Sequence, residues 1–466
     1  MSEGRNEEMK HYIFPFSANQ PKYKQIYEQY KKLIEEGKLK TGENLPSIRS
    51  LANDLGVSRH TTLQAYDQLL AEGYIQANER KSYSVNEFEP IFLQTSIPEV
   101  PRNEPIQLID FIDFKASTVD EEQFPLKVWR QISNKVLQQS ISFQYGDPFG
   151  EPGFKQELAD YLFQARGMII NPKNIIVGSN TQQLLLYLGF LLKESFSSMI
   201  VENPGYSGVR EVFHLHGFEM ESIPALKQGV LLDPLVHRKG KLLYITPSHQ
   251  YPTGTALSIQ QRIELIQWVR SNNGFLLEDD YDGEFRYGQK PFPALASLDA
   301  AHVIYFGTFS KAFLPAIRLA YMVLPDSLIN IYMSKFEHFE HNASLLHQLT
   351  MTEFMKSGEW TKHIKRMRNT YKRKMNLLVQ QVHHLFGEQI EIIGDNAGLY
   401  IMLRIHTPYS EKELIEKALQ QHVKVYPTSH LFIENPPVQP HILLGFANLS
   451  REQIERGVCL LKEAWK

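Results

Sequence analysis

The sequence predicts a multidomain protein: a small helix-rich N-terminal domain, a linker, and a large α/β domain on a mixed, mostly parallel sheet with helices on both faces. Three observations predict it. The chain has 466 residues, and at roughly 100–200 residues per domain that means two or three domains. From Leu108 onward the short apolar runs NIIVG, SMIVEN, LLYIT, FLLEDD and HVIYFGT alternate with helical patterns, as in parallel sheets covered on both sides. Between the two regions, residues 89–107 (EPIFLQTSIPEVPRNEPIQ) hold Pro90, Pro98, Pro101 and Pro105 without a hydrophobic period, the mark of a semi-extended linker.

Composition narrows the function classes. Apolar residues make up 42% and charged residues 22%, and Lys plus Arg (49) against Asp plus Glu (52) gives a net charge of −3. No chain-wide basic field is present, so any nucleic-acid binding must be local. The single cysteine, Cys459, excludes an intramolecular disulfide framework and suits a reducing cytoplasm. The start, MSEGRNEEMK, is polar and acidic where a signal peptide is basic and then apolar. The longest apolar run, Leu184 to Leu192, is about half a membrane span and is expected in a buried helix.

In the first region, residues 10–88, Ile26, Tyr27, Tyr30, Leu33 and Ile34 form one helical stripe, ended by Gly37. Pro46 and Ser47 open a second helix with Ile48, Leu51, Ala52 and Leu55 on one face, and Gly56 suits a left-handed C-cap. Ser58 caps a third helix carrying Leu63, Tyr66, Leu69 and Leu70, stopped at Gly73. YIQA, the tip NERK and SYSV then read as a hairpin. Helix, tight turn, helix and wing make a winged helix-turn-helix, whose third helix would offer Ser58, Arg59, His60, Thr61 and Thr62 to DNA bases and phosphates. Arg49, Arg80 and Lys81 add positive charge. On periodicity alone, a helical protein-binding module fits equally well.

In the large region, chemistry is expected at the carboxyl ends of the strands. Lys311 follows the strand HVIYFGT, where a partly deprotonated amine can form a Schiff base; the pair Ser-Lys alone has no meaning. Arg318 offers a planar fork for a phosphate, and Ser310 another donor. EDDY ends a second strand, where Asp279 suits a protonated pyridine nitrogen and Tyr281 a ring hydroxyl. In VGSNTQQLLLYL, backbone N–H groups at Ser179, Asn180 and Thr181 would face an anion at a helix start. Tyr206, in NPGYSG, could stack on an aromatic ring. No residues at metal-ligand spacing accompany them. A lysine, an anion cradle, an acid and a stacking ring on successive strands describe pyridoxal 5′-phosphate.

Two resemblances join these readings. LPSIRSLANDLGVSRHTTLQAYDQLLAEGYI resembles the winged helix of GntR-family transcription regulators, with Ser82 where the wing usually has glycine. Residues 108–466 resemble a fold-type-I aminotransferase in YGDPFGEPGFKQELADYLFQARG, PSHQYPTGT, EDDY and GTFSK. The fusion is similar to MocR-type regulators, of which GabR is the best-known kind. That resemblance implies a fold-type-I domain with a smaller α+β C-terminal part and a homodimer. It gives Lys311 the Schiff base, Asp279 the pyridinium, Tyr281 the ring hydroxyl and Tyr206 the stacking role, with Ser310, Arg318 and the 179–181 turn on the phosphate. It further implies binding of double-stranded promoter DNA and sensing of a small amine, an amino acid or pyridoxal phosphate itself.

Departures from the aminotransferase pattern favour a regulator over an enzyme. Tyr251 stands where aminotransferases have the asparagine of Asn-Pro-Thr-Gly, and no arginine lies between Arg404 and Arg451 to hold a substrate carboxylate. Physiological turnover is therefore expected to be absent or slow, with a working aminotransferase as the alternative. Gly208 and His430 occupy the places where GabR-like sensors of ω-amino acids have arginine, which leaves Arg210 and His430 as candidate effector contacts.

Overall fold

The computed structural model describes residues 15–17, 20–78, 82–87, 111–226, 229–230, 233–287, 293–339, 343–434 and 436–466. The chain divides into two units, Met1–Gln107 and Leu108–Lys466. The linker read at 89–107 and the wing-tip residues Arg80 and Lys81 lie outside the described residues.

In the first unit, α1 (Lys22–Glu35) buries the stripe Ile26, Tyr27, Tyr30, Leu33 and Ile34. Helix α2 (Ile48–Asp54) starts at Ser47, whose hydroxyl accepts the Ser50 N–H, and α3 (Arg59–Ala71) starts at Ser58, which accepts from Thr61 at 3.1 Å. Gly56, at φ +60°, turns the chain between them in the left-handed region that favours glycine. The Tyr66 hydroxyl donates to the Pro46 carbonyl at 2.9 Å, tying α3 to the start of α2. Strands β1 (Ile75–Ala77) and β2 (Tyr83–Val85) form the antiparallel wing, with Ile75 opposite Val85.

The second unit begins with β3 (Ile112–Asp113), α4 (Leu126–Leu137) and α5 (Pro152–Arg166). Its main sheet comprises β4 (Ile175–Gly178), β5 (Ser198–Asn203), β6 (Glu219–Leu226), β7 (Gly229–Val230), β8 (Leu242–Ile245), β9 (Phe275–Asp280), β10 (Val303–Thr308) and β11 (Ala320–Val323). Their spatial order is β4-β11-β10-β9-β8-β5-β6-β7. The run from β10 through β6 is parallel; β11 and β7 pair antiparallel to their neighbours. Helices α6 (Thr181–Leu192), α7 (Ser207–Leu215), α8 (Ile259–Asn272), α9 (Leu295–Leu298) and α10 (Phe309–Ala312) lie along the connections.

Successive residues of a strand face opposite sides, and β10 shows both sides covered. Val303 and Tyr305 pack in one apolar cluster with Phe154 and Leu265, while Ile304 and Phe306 pack in another with Leu184 and Val209. After β11, α11 (Asp326–Phe336), α12 (Leu345–Lys356) and α13 (Glu359–Phe386) lead to the smaller α+β part. There β12 (Ile390–Ile393), β13 (Tyr400–Ile405), β15 (Tyr426–Pro427) and β16 (His441–Gly445) form an antiparallel sheet in the order β12-β13-β16-β15. Helices α14 (Glu411–Gln420) and α15 (Arg451–Ala464) accompany it, and β14 (Val423–Lys424) pairs in parallel with β3. Among the described residues, no helix is long and apolar enough to cross a membrane.

Candidate functional site

A cavity of about 370 Å³ opens at the carboxyl ends of β8, β9 and β10. Lys311 reaches it from α10, directly after β10, and its Nζ donates to the Ala116 carbonyl at 2.8 Å. Burial pushes the amine pKa down to about 8, against the opposing pull of Asp282 and with a smaller push from Lys115. A desolvated ammonium is disfavoured relative to the neutral amine, so burial raises the share of this lysine that is neutral.

Asp279 enters from β9. Tyr244, on the adjacent strand β8, donates its hydroxyl to Asp279 Oδ2. The other oxygen, Oδ1, is buried without a hydrogen-bond partner. Burial lifts the carboxyl pKa to about 7, with Asp280 and Asp282 adding repulsion and Tyr244 opposing the rise. A buried acceptor left open is costly unless something fills it. A protonated ring nitrogen fits that position, so the residues present suit a pyridine cofactor.

At the opposite side of the cavity, Asn180, Thr181 and Gln182 line the start of α6, with Asn180 as its cap accepting the Gln183 N–H at 2.9 Å. Ser179 does not belong to this wall. Its N–H and Oγ both donate to Gln183 Oε1, at 2.7 and 3.1 Å, because that side chain folds back over the turn. The residues of this turn that line the cavity are therefore 180–182, one residue on from 179–181. Thr308, Ser310 and Arg318 complete this end, and the Arg318 backbone is left-handed at φ +53°.

Tyr206 lines the cavity edge-on to Tyr251, with ring centroids 6.5 Å apart. Tyr281 also lines it, but its hydroxyl donates to the His249 carbonyl at 2.9 Å and lies 3.0 Å from both His249 Nδ1 and the Tyr400 hydroxyl. That proton is engaged, so a bond from it to a ring hydroxyl requires the hydroxyl to turn. Sequence reasoning missed Gln182, Tyr244, Thr246, Asp282, Thr308 and Tyr400. For Tyr244 and Thr246 a signal existed: spaced by two at the end of LLYIT, they share the face of β8 that meets Asp279.

The two candidate effector contacts lie elsewhere. Arg210 donates to the backbone carbonyls of Leu431 and His430, at 3.2 and 2.7 Å, and clamps α7 to the 429–431 turn. His430 is exposed, and neither residue lines the cavity. Gly208 has a steric reason: a Cβ there would come within 2.4 Å of the Tyr206 ring and 2.7 Å of Gln182 Nε2.

In the first unit, Ser47, Arg49, Ser58, Arg59 and His60 are exposed at the starts of α2 and α3, with Thr61 half-buried. Thr62 is fully buried and faces the core with Ala65 and Tyr66, so it cannot reach a groove. Gln64, exposed one turn after His60, takes its place on the outward face.

Residues 22–85 match the family "Bacterial regulatory proteins, gntR family", and residues 109–459 match "Aminotransferase class I and II". The chain is 38% identical over 451 residues to the HTH-type transcriptional regulator YdeL of Bacillus subtilis, covering 96% of this chain and 97% of that one. It is 29% identical to the probable rhizopine catabolism regulatory protein MocR of Rhizobium meliloti, covering 96% and 94%. The chain belongs to the MocR-type transcriptional regulators. Among solved structures, the second unit of this regulator resembles the α-aminoadipate aminotransferase LysN of Thermus thermophilus. The match has TM-score 0.69 and 25% identity and covers 76% of this chain and 92% of that one. The regulator thus joins a GntR-type DNA-binding domain to an aminotransferase class I and II fold.

Proposed function

We propose that this regulator binds pyridoxal phosphate around Lys311, and that an amine-bearing effector, or the cofactor itself, alters DNA binding by residues 10–88 through that site. One observation carries the reading: a buried, easily neutralised lysine amine shares a cavity with an open buried carboxylate oxygen, Asp279 Oδ1. When bound, pyridoxal phosphate supplies an aldehyde that takes a primary amine and a ring that withdraws electrons. Lys311 provides the amine; with its pKa at about 8, roughly a tenth is uncharged at neutral pH. Asp279 Oδ1 would accept a hydrogen bond from the protonated ring nitrogen, Tyr206 would cover a ring face, and Thr308, Ser310, Arg318 and the N–H groups at the start of α6 would hold the phosphate. Borohydride reduction of the purified protein followed by peptide mapping tests this. Label on Lys311, lost in Lys311→Ala, is expected; label on another lysine overturns the reading.

A homodimer is part of the proposal. Phe143 and Tyr145 are 84% and 97% exposed, and large apolar side chains left bare in this way mark association surfaces. Sedimentation at micromolar concentration should give twice the chain mass. On the DNA side, Arg59→Ala is expected to weaken operator binding by about 1–3 kcal/mol if it reads a base, whereas loss of Lys81 would flatten the salt dependence by about one unit of slope. Anisotropy across a salt series separates the two.

A working aminotransferase is the second reading, favoured by the retained set of Lys311, Asp279 and Tyr206. Stoichiometric keto-acid release from an amino acid would establish it. The first reading expects none or slow release, since among the described residues the cations lining the cavity are Lys311 and Arg318.

A further inference from the structure

Beyond the residues that suit pyridoxal phosphate, the cavity has a second wall whose chemistry the cofactor leaves unused. With the phosphate donors at the start of α6 and around Arg318, and the ring acceptor at Asp279, the remaining lining includes Tyr251, Leu399, Tyr400 and Asp282. Asp282 is a second buried carboxylate, its side chain 2% exposed, accepting from His249 Nδ1 at 2.9 Å. Asp282 acts electrostatically on Tyr281 and Tyr400, and Tyr251 meets those two rings edge to face, Tyr400 at 5.7 Å and 77° and Tyr281 at 6.2 Å and 89°. Rings meeting at right angles with a carboxylate beside them make an electron-rich enclosure.

Such an enclosure attracts a cation, since ring faces carry negative quadrupole density and a desolvated carboxylate adds charge. It repels a carboxylate. Among the described residues the guanidinium lining the cavity is Arg318, assigned above to the phosphate, and Arg210 and Arg404 do not line it.

We propose that the effector is a diamine, with one amine taking the place of Lys311 and the second, as ammonium, held between Asp282 and the rings of Tyr251 and Tyr400. This rests on the reading of the cavity as a pyridoxal phosphate site. The C=N bond to Lys311 breaks as one to the ligand nitrogen forms. The Lys311 nitrogen gains every proton that the ligand ammonium loses in forming its own C=N bond and so leaves as an ammonium, and no water, oxidant or reductant is consumed. The Lys311 ammonium then regains the Ala116 carbonyl as its partner.

The test titrates the holo-protein with putrescine and cadaverine, with ω-amino acids of the same chain length, and with n-alkylamines, reading the cofactor absorbance. Each diamine is expected to act at a concentration about tenfold lower than its ω-amino-acid match, with the alkylamine between them. Asp282→Asn should bring diamine and alkylamine to within about twofold, as should Tyr251→Leu in part. An ω-amino acid that binds as tightly as its diamine, or a protein whose spectrum no diamine shifts, overturns the proposal. The matched pairs are compared in the unaltered protein, so the outcome does not depend on either variant folding. Failure of the cofactor reading shows separately, as a colourless protein with no borohydride label on Lys311 before any amine is added.

Discussion

Asp279 and Asp280 are consecutive residues at the end of one strand, both buried, and the pleat sends them to opposite faces of the sheet. Asp280 faces an ionic group: Arg166 Nε and the Tyr305 hydroxyl, the latter at 2.7 Å, both donate to its Oδ2, its Oδ1 has no hydrogen-bond partner, and Glu284 lies near the same arginine. Asp279 faces the cavity with a single donor, Tyr244, and an open oxygen. The residue type and depth are the same; the partners differ. Each keeps one buried oxygen without a donor; the carboxylate that serves the fold is paired with a buried guanidinium, and the one suited to a ligand opens on a cavity with no guanidinium among the described residues bonded to it.

The comparison is broken most severely at Asp280. Asp280→Ala leaves the Arg166 guanidinium buried beside fewer charges, and should cost about 3–5 kcal/mol of stability, read as a lower melting temperature. The next effect is on pH dependence. Asp279 has its folded pKa raised from 3.8 to about 7, so it favours the folded chain at low pH, and that contribution is lost as pH rises from about 4 through 7. Asp279→Asn should therefore make the cofactor-free protein more stable near pH 8, by up to about 4 kcal/mol, and leave it unchanged near pH 3. Denaturant melts across that range check the sign. Lys311 works the other way: its pKa is lowered from 10.5 to about 8, so its contribution is lost as pH falls through 8, and Lys311→Met should stabilise the cofactor-free protein at neutral pH.

Smaller effects sharpen the same contrast. Asp279→Asn should weaken pyridoxal phosphate binding about ten- to hundredfold, the worth of a hydrogen bond to a charged group, while Asp280 variants that still fold should bind nearly normally. Equilibrium dialysis measures both. Tyr244→Phe, which removes the one donor to Asp279, should cost about 1 kcal/mol in the same assay.

This contrast sets the limit of what could be read in advance. Both aspartates were visible in EDDY, and strand alternation could place them on opposite faces, but which face held a cavity depended on Arg166, more than a hundred residues away. Lys311, Asp279, Tyr206 and Arg318 were legible because each follows a strand or turn whose apolar pattern is strong. Ser179 was misplaced because the helix cap is Asn180, and a glutamine side chain from the next turn takes the N–H that seemed free. Thr62 was misplaced because a polar residue in the first turn of α3 points inward, a matter of helical phase set by Ala65, Tyr66 and Leu69. Arg210 showed only its charge; that its donors meet the carbonyls of residues 430 and 431 is a tertiary fact. In the first unit, the buried stripe of α1 and both serine caps followed directly from spacing and hydroxyl chemistry.

The central claim is that the cavity around Lys311 governs DNA binding. Its most direct test is the anisotropy-measured affinity for the DNA upstream of the regulator's own gene, with and without saturating pyridoxal phosphate, for the unaltered protein and for Lys311→Ala. The cofactor is expected to change affinity in the unaltered protein, and DNA reciprocally to change cofactor affinity by the same factor, while Lys311→Ala shows little or no response. Equal DNA affinity in all four conditions would contradict it.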